Sequence, residues 1–148
     1  MTEKRISFLL NIVVREMNSQ ADGLLRHEFG ITYSQFAFLM TLTENPEIDV
    51  TRLAEALGVT KGAVSNRLKW FIKRGLASSH HKPGNSKQLL INLTPDGLSL
   101  AGAAGTFLEK TFTSTIAKSR NNSYKALTLE LEKIYGLLLA RRFGENLP

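Results

Sequence analysis

The chain has no cysteine among its 148 residues, which excludes a disulfide framework, a thiolate zinc site and any thiol-based redox sensor. Redox chemistry therefore sets no compartment. Long apolar runs are also missing, since no stretch approaches the roughly 20 residues that a membrane-spanning helix needs. The stretch MTEKRISFLLNIVVREMN is broken at Asn11, Arg15 and Glu16 and has no small-residue cleavage site behind it, unlike a signal peptide. The expectation is a soluble, unexported, cytoplasmic protein that does not contact the membrane. Three histidines and no cysteine leave few nucleophile–base pairs, and no carboxylate pair occupies a loop-rich stretch. An enzyme is the reading least supported, and no cofactor is expected.

Acid is missing locally. Between Ala56 and Pro95 there is no Asp or Glu, while Lys61, Arg67, Lys69, Lys73, Arg74, Lys82 and Lys87 fall in that window. Twelve basic and thirteen acidic residues remain elsewhere, so the whole excess behind the net charge of +6 sits there. A solvated face usually mixes both signs; a block of one sign this long fits an anionic partner, nucleic acid before membrane.

What is present is helical punctuation. An apolar residue, then Thr or Asp, then an apolar residue four positions further on occurs at Ile31-Thr32 with Phe36, Ile48-Asp49 with Leu53, Val59-Thr60 with Val64, and Leu93-Thr94 with Leu98. In each, the polar residue can cap the amides of a new helix while the apolar pair closes over its entry. Gln35 adds a capping box, and Pro95 takes the first helical position, where its missing N–H is harmless. Gly30, Gly58 and Gly75 stand where left-handed helix termini are expected.

Helices are thus expected at about 3–29, 33–44, 50–57, 61–74, 95–118 and 122–142. Residues 76–93 break the pattern: Pro83-Gly84-Asn85 marks a tip, and Leu89, Ile91 and Leu93 alternate beyond it. A two-stranded hairpin is the simplest account. The fold class is mainly α with a small β-hairpin wing, because a short helix, a turn at Gly58 and a second helix followed by a hairpin make a winged helix-turn-helix.

In the segment 61–74, Val64, Leu68 and Phe71 form one stripe at helical spacing. Gly62, Ser65, Asn66, Lys69 and Lys73 fall opposite. Asn can pair with adenine through two hydrogen bonds, Ser can donate or accept, and Lys reaches guanine or phosphate. Thr60 and the helix start behind it can receive a phosphate oxygen. Trp70 lies on the flank, where packing against a neighbouring helix is commoner than base stacking. His80 and His81 alternate across a strand, so they do not form a shared metal site, and one can approach phosphate. His27 beside Glu28 reads as a half-exposed helix histidine before a ligand.

The terminal helices are apolar on more than one face. Ile6, Leu9, Leu10 and Val13 in the first, and Leu127, Leu131, Ile134 and Leu138 in the last, are the candidate residues for burial against a second copy. Packing of the two helices on each other within one chain is the alternative. The run Ala101-Gly102-Ala103-Ala104-Gly105 inside a helix fits either a close helix contact or a connector with room for a ligand. Neither it nor Gly58-x-x-x-Gly62 is a nucleotide loop, since both lack a following Lys-Ser/Thr.

The stretches ITYSQFAFLMTL (31–42), VTRLAEALGVTKGAVSNRLKWFIKRGLAS (50–78) and INLTPDGLSL (91–100) resemble the MarR family of bacterial transcriptional regulators. The last is similar to that family's "LT-x-x-G" join at Leu93, Thr94 and Gly97. The resemblance implies one MarR-like domain over 1–148, with the winged helix-turn-helix at 31–94 and dimerisation helices at 1–30 and 95–148. It implies a homodimer, a recognition helix at 61–74 in the major groove, and a wing at the minor groove. In many members a small aromatic or anionic ligand releases the DNA. Ser65 and Asn66 occupy positions where the family commonly has Thr or Ser and then Arg. At the wing, Asn85, Ser86 and Lys87 replace an Asp-x-Arg, and Lys suits a narrow groove less well than Arg. The wing is therefore expected to supply sequence-independent phosphate affinity through Lys82 and Lys87.

The resulting expectation is a dimeric, small-molecule-responsive repressor that reads a pseudo-palindromic site in double-stranded DNA. Its DNA contacts would be Thr60, Lys61, Gly62, Ser65, Asn66, Lys69, Lys73, His81, Lys82, Asn85, Ser86 and Lys87. The alternative is a winged-helix module whose basic face meets an acidic protein.

Overall fold

The four marked helix starts are capped by the side chains expected to cap them. In the computed structural model, which describes residues 5–119 and 124–142, Thr32 Oγ1 accepts from the Gln35 amide at 3.0 Å and the Gln35 side chain accepts from the Thr32 amide at 2.8 Å. This capping box opens α2 (Tyr33–Glu44). Asp49 caps α3 (Val50–Leu57) by accepting from the Arg52 amide at 2.8 Å. Thr60 caps α4 (Lys61–Lys73) by accepting from the Ala63 amide at 3.1 Å. Thr94 Oγ1 accepts from the Gly97 amide at 3.1 Å before α5 (Pro95–Ser119).

α1 (Ile6–Phe29) and α3 end on Gly30 and Gly58, both left-handed at φ 67° and 64°. α1 starts at Ile6, after Arg5, which is extended and makes no side-chain cap; its expected start at 3 lies outside the described residues. The last helix, α6, is Tyr124–Arg142, and its expected start at 122 lies outside the described residues. α4 stops at Lys73, one residue before the expected end, since Arg74 has left the helical backbone at φ −92°, ψ 2°. No described helix is long and apolar enough to cross a membrane.

The hairpin is part of a three-stranded sheet, not a two-stranded one. β1 (Ile48–Asp49), β2 (Ala77–Lys82) and β3 (Asn85–Leu93) form an antiparallel sheet in the order β1-β3-β2, with Ile48 opposite Ile91 and Asp49 opposite Leu90. The tip is Pro83-Gly84, since Asn85 already pairs with Lys82. Proline followed by glycine at φ 78° fits the central pair of a type II turn. The register then steps from Lys82 opposite Asn85 to His81 opposite Leu89, so residues 86–88 bulge out of the ladder.

Two compact units divide the chain, Met1–Thr106 and Phe107–Pro148. In the first, Phe38 of α2 and Phe71 of α4 stack with ring centroids 4.7 Å apart and planes 5° from parallel, both fully buried. Leu39, Leu53, Val64 and Ile91 complete the fully buried core around them, and Leu25 brings in α1. Ala101 and Ala104 are the buried positions of the small-residue run; a Cβ on Gly105 would lie 3.6 Å from Met40 Sδ, ordinary contact, while one on Gly102 would meet nothing. The run thus lets α5 lie close to Met40 of α2.

Two carboxylates tie helix starts to their surroundings. Asp22 of α1 pairs with Arg26 Nε at 2.6 Å and accepts from the Tyr33 amide at 2.8 Å, which adds a second cap to α2. The Arg26 hydrogen bond, then the Tyr33 amide, hold Asp22 below the ordinary aspartate value of 3.8. The Arg52 amide does the same for Asp49. With the folded values lowered, their stabilisation is present above the unfolded value and is lost as pH falls through the folded ones. The urea midpoint should be flat above about pH 5 and drop below about pH 4. An Asp22→Asn, Asp49→Asn variant should drop less over the same window; an equal drop would assign the acid sensitivity to other groups.

Candidate nucleic-acid interface

α4 buries one face and presents the other. Val64, Leu68 and Phe71 are buried, as their spacing requires, and Lys61, Gly62, Ser65, Asn66, Lys69 and Lys73 are all exposed. Gly62 has open space around it: a Cβ there would meet only Thr60 Oγ1, at 3.9 Å. The fold itself does not require glycine at 62. Thr60 is exposed at the start of the helix; its oxygen accepts from Ala63, and its hydroxyl still has a hydrogen to donate outward.

Trp70 is half-buried on the flank, with its ring edge-on to Phe71 of the same helix at 4.9 Å. Arg74, to which the sequence assigned no role, lays its guanidinium 4.0 Å from the centre of the Trp70 ring. The spacing of four residues was the available signal. Gln35, Asn66, Arg67, Trp70 and Phe71 line a shallow groove of about 240 Å³ beside them.

The other expected contacts gather on the wing. His81, Lys82, Asn85, Ser86 and Lys87 are all exposed. Asn85 Oδ1 accepts from the Lys87 amide at 3.2 Å, so the residue in place of the family's aspartate holds the lysine's backbone. His80 is turned to another task, with Nε2 3.5 Å from Glu47 Oε1. His27 Nδ1 lies 2.9 Å from Glu28 Oε1 at an exposed site. Sequence reasoning missed two further features. Asp49 Oδ2 accepts from Gln88 Nε2 at 2.9 Å, a pairing between residues 39 apart that no local spacing signals. Gly97 sits so close to the Leu76 carbonyl that a side chain would overlap it.

The apolar residues of the terminal helices face outward. Ile6 is 73% exposed and Leu138 59%, with Leu9, Leu10, Val13, Leu131 and Ile134 exposed and Leu127 half-buried. None of the described residues of α6 is buried.

Comparison with known proteins agrees with this geometry. An organic hydroperoxide resistance transcriptional regulator of Bacillus subtilis (strain 168) is 33% identical over 95 residues, which is 64% of this chain and 64% of that protein; the chain thus spans about two thirds of that relative's length. Wild-type MarR from E. coli in its apo form superposes with a TM-score of 0.82 at 18% identity, covering 90% of this chain and 98% of that one. S. aureus MepR in complex with DNA superposes with a TM-score of 0.70 at 23% identity, covering 92% and 99%. At these identities the two structures establish the fold. Residues 29–86, which run from the end of α1 through the recognition-helix candidate to the wing tip, match the model of the MarR family, and the chain has the fold of the MarR structures.

Proposed function

We propose that the protein is a dimeric regulator of transcription that binds a specific, pseudo-palindromic site in double-stranded DNA and acts as a repressor. The observation that carries this is the outer face of α4: Gly62, Ser65, Asn66, Lys69 and Lys73, all exposed, in a 40-residue window without a carboxylate. Gly62, Ser65, Asn66 and Lys69 meet base edges in the major groove, while Thr60, Lys61, Lys73, His81, Lys82 and Lys87 meet phosphates. The open space at Gly62 supports the assignment, because a glycine that the fold does not need still allows close backbone approach to a partner. The exposed apolar faces of α1 and α6 support a dimer, which sets two reading helices about 34–36 Å apart. The MepR–DNA complex and the name of the B. subtilis relative agree with this reading. Control by a small aromatic or anionic molecule is carried over from the family resemblance.

Asn66→Ala is expected to cost about 1–3 kcal/mol on the cognate site and little on random duplex, measured by titration of labelled DNA. Equal losses on both would remove Asn66 from the reading set. Binding to an acidic protein with no affinity for duplex DNA would replace the proposal with the protein-interaction reading.

A further inference from the structure

Asp49 does two things at once. It ends β1 and caps α3, with Oδ1 accepting from the Arg52 amide at 2.8 Å and Oδ2 accepting from Gln88 Nε2 at 2.9 Å. The second bond follows from sheet register. Asp49 lies opposite Leu90, which makes Gln88 its diagonal neighbour on the same face, within reach of a long side chain.

Gln88 belongs to the bulge and immediately follows Lys87. Across residues 86–88 the β2–β3 ladder is interrupted, so β2 gives this segment little support. Open grooves flank the Asp49–Gln88 bond. One, of about 530 Å³, runs past Arg52 to Lys82; the other, of about 290 Å³, runs past Thr51 to Asn85 and Lys87. The bond is therefore a strut between two open grooves that links the start of α3 to the wing.

The choice of residue points the same way. Among the described residues, Thr caps three of the four helices that open with a side-chain cap, at Thr32, Thr60 and Thr94; the start beside the wing has Asp. Thr would cap α3 nearly as well. A hydroxyl, however, has no second acceptor atom to hold Gln88 while the first holds Arg52.

We propose that Asp49 and Gln88 are positioning residues for DNA binding: their hydrogen bond holds the wing lysine Lys87 at a set place relative to the α3–α4 pair, so that recognition helix and wing engage the duplex together. This rests on the DNA-binding reading above. A wing held in place before contact loses less conformational freedom on binding, and its phosphate contact then counts fully toward affinity.

The test is a thermodynamic cycle on the full chain with a mixed-sequence duplex, following the salt dependence of binding. In the wild-type background Lys87→Ala should flatten the slope of log affinity against log salt by about one unit, the signature of one lost phosphate contact. With Gln88→Ala or Asp49→Ser already present, the same change should flatten it by less than about half a unit, because neighbouring residues that act together are not additive. Asp49→Asn should restore the full effect: its oxygen caps Arg52, and its amide donates to the Gln88 carbonyl once that side chain flips. Asp49→Ser retains a helix cap, so both strut variants are expected to stay folded. A full-sized Lys87 effect in both strut variants overturns the proposal. So does a wild-type protein that binds the duplex but is indifferent to Lys87→Ala. A wild type that binds no duplex instead overturns the DNA-binding reading itself.

Discussion

Gly97→Ala is expected to destabilise the DNA-free protein by more than about 3 kcal/mol, beyond the usual cost of forcing extra atoms into a packed site. A Cβ at this position would overlap the Leu76 carbonyl oxygen and crowd Leu93 Cδ2 at 3.2 Å. That oxygen has no room to retreat, because it already accepts from the Thr94 amide at 3.0 Å. Thr94 Oγ1 meanwhile donates to the Gly75 carbonyl at 2.6 Å and accepts from the Gly97 amide at 3.1 Å. Leu93-Thr94-x-x-Gly97 is thus a clamp that binds the segment leaving α4 to the first turn of α5. Adding one methyl group must break part of it. Gly102, five residues further along α5, is the control: it is exposed, and a Cβ there would meet nothing within 4 Å. Gly102→Ala should stabilise by about 1 kcal/mol through helix propensity. Urea unfolding of the two variants should therefore move in opposite directions. Two shifts of the same sign would contradict the clamp.

Phe71→Ala is expected to cost about 3–5 kcal/mol, the range for emptying a buried aromatic site. The Phe71 ring lies flat against Phe38 at 4.7 Å, and neither is exposed to any extent. Since a domain of this size has roughly 5–15 kcal/mol in total, the variant should be close to unfolding at 37 °C. Phe71→Leu keeps most of the volume and should cost clearly less. Chemical denaturation of both variants measures this; a loss below about 1 kcal/mol for Phe71→Ala would show that the site refills and that the stacked pair does not set the seat of α4. Because Phe71 sits on the side of α4 opposite the proposed reading face, the loss should reach DNA binding through the helix's position rather than through a contact.

The parts of this architecture visible in the sequence are those decided within a few residues. A cap needs only its own side chain and an amide three positions on, so Thr32, Asp49, Thr60 and Thr94 marked their helices. The stripe of Val64, Leu68 and Phe71 is likewise set by helical spacing, and it fixes which residues of α4 face out. Features that depend on distant partners were not visible. β1 is two residues long and exists because Ile48 finds Ile91 across 42 intervening residues; locally, Ile48-Asp49 reads only as a helix start. The same distance hid the Asp49–Gln88 bond. Asn85 looked like the third residue of a turn, yet pairing with Lys82 places it in β3, and the bulge behind it moves Ser86 and Lys87 out of the ladder. Gly97 was recognisable as part of a motif, but the reason only glycine fits, the Leu76 carbonyl, lies 21 residues earlier in the chain.

The central claim is that the outer face of α4 reads a specific DNA sequence as part of a symmetric pair. Selection of bound fragments from random duplex DNA by the purified protein, at two salt concentrations, tests it most directly. The expected result is an enriched inverted repeat whose half-sites are about one helical turn apart, still recovered at the higher salt when non-specific fragments are lost. Binding that disappears with salt and leaves no enriched repeat would contradict it.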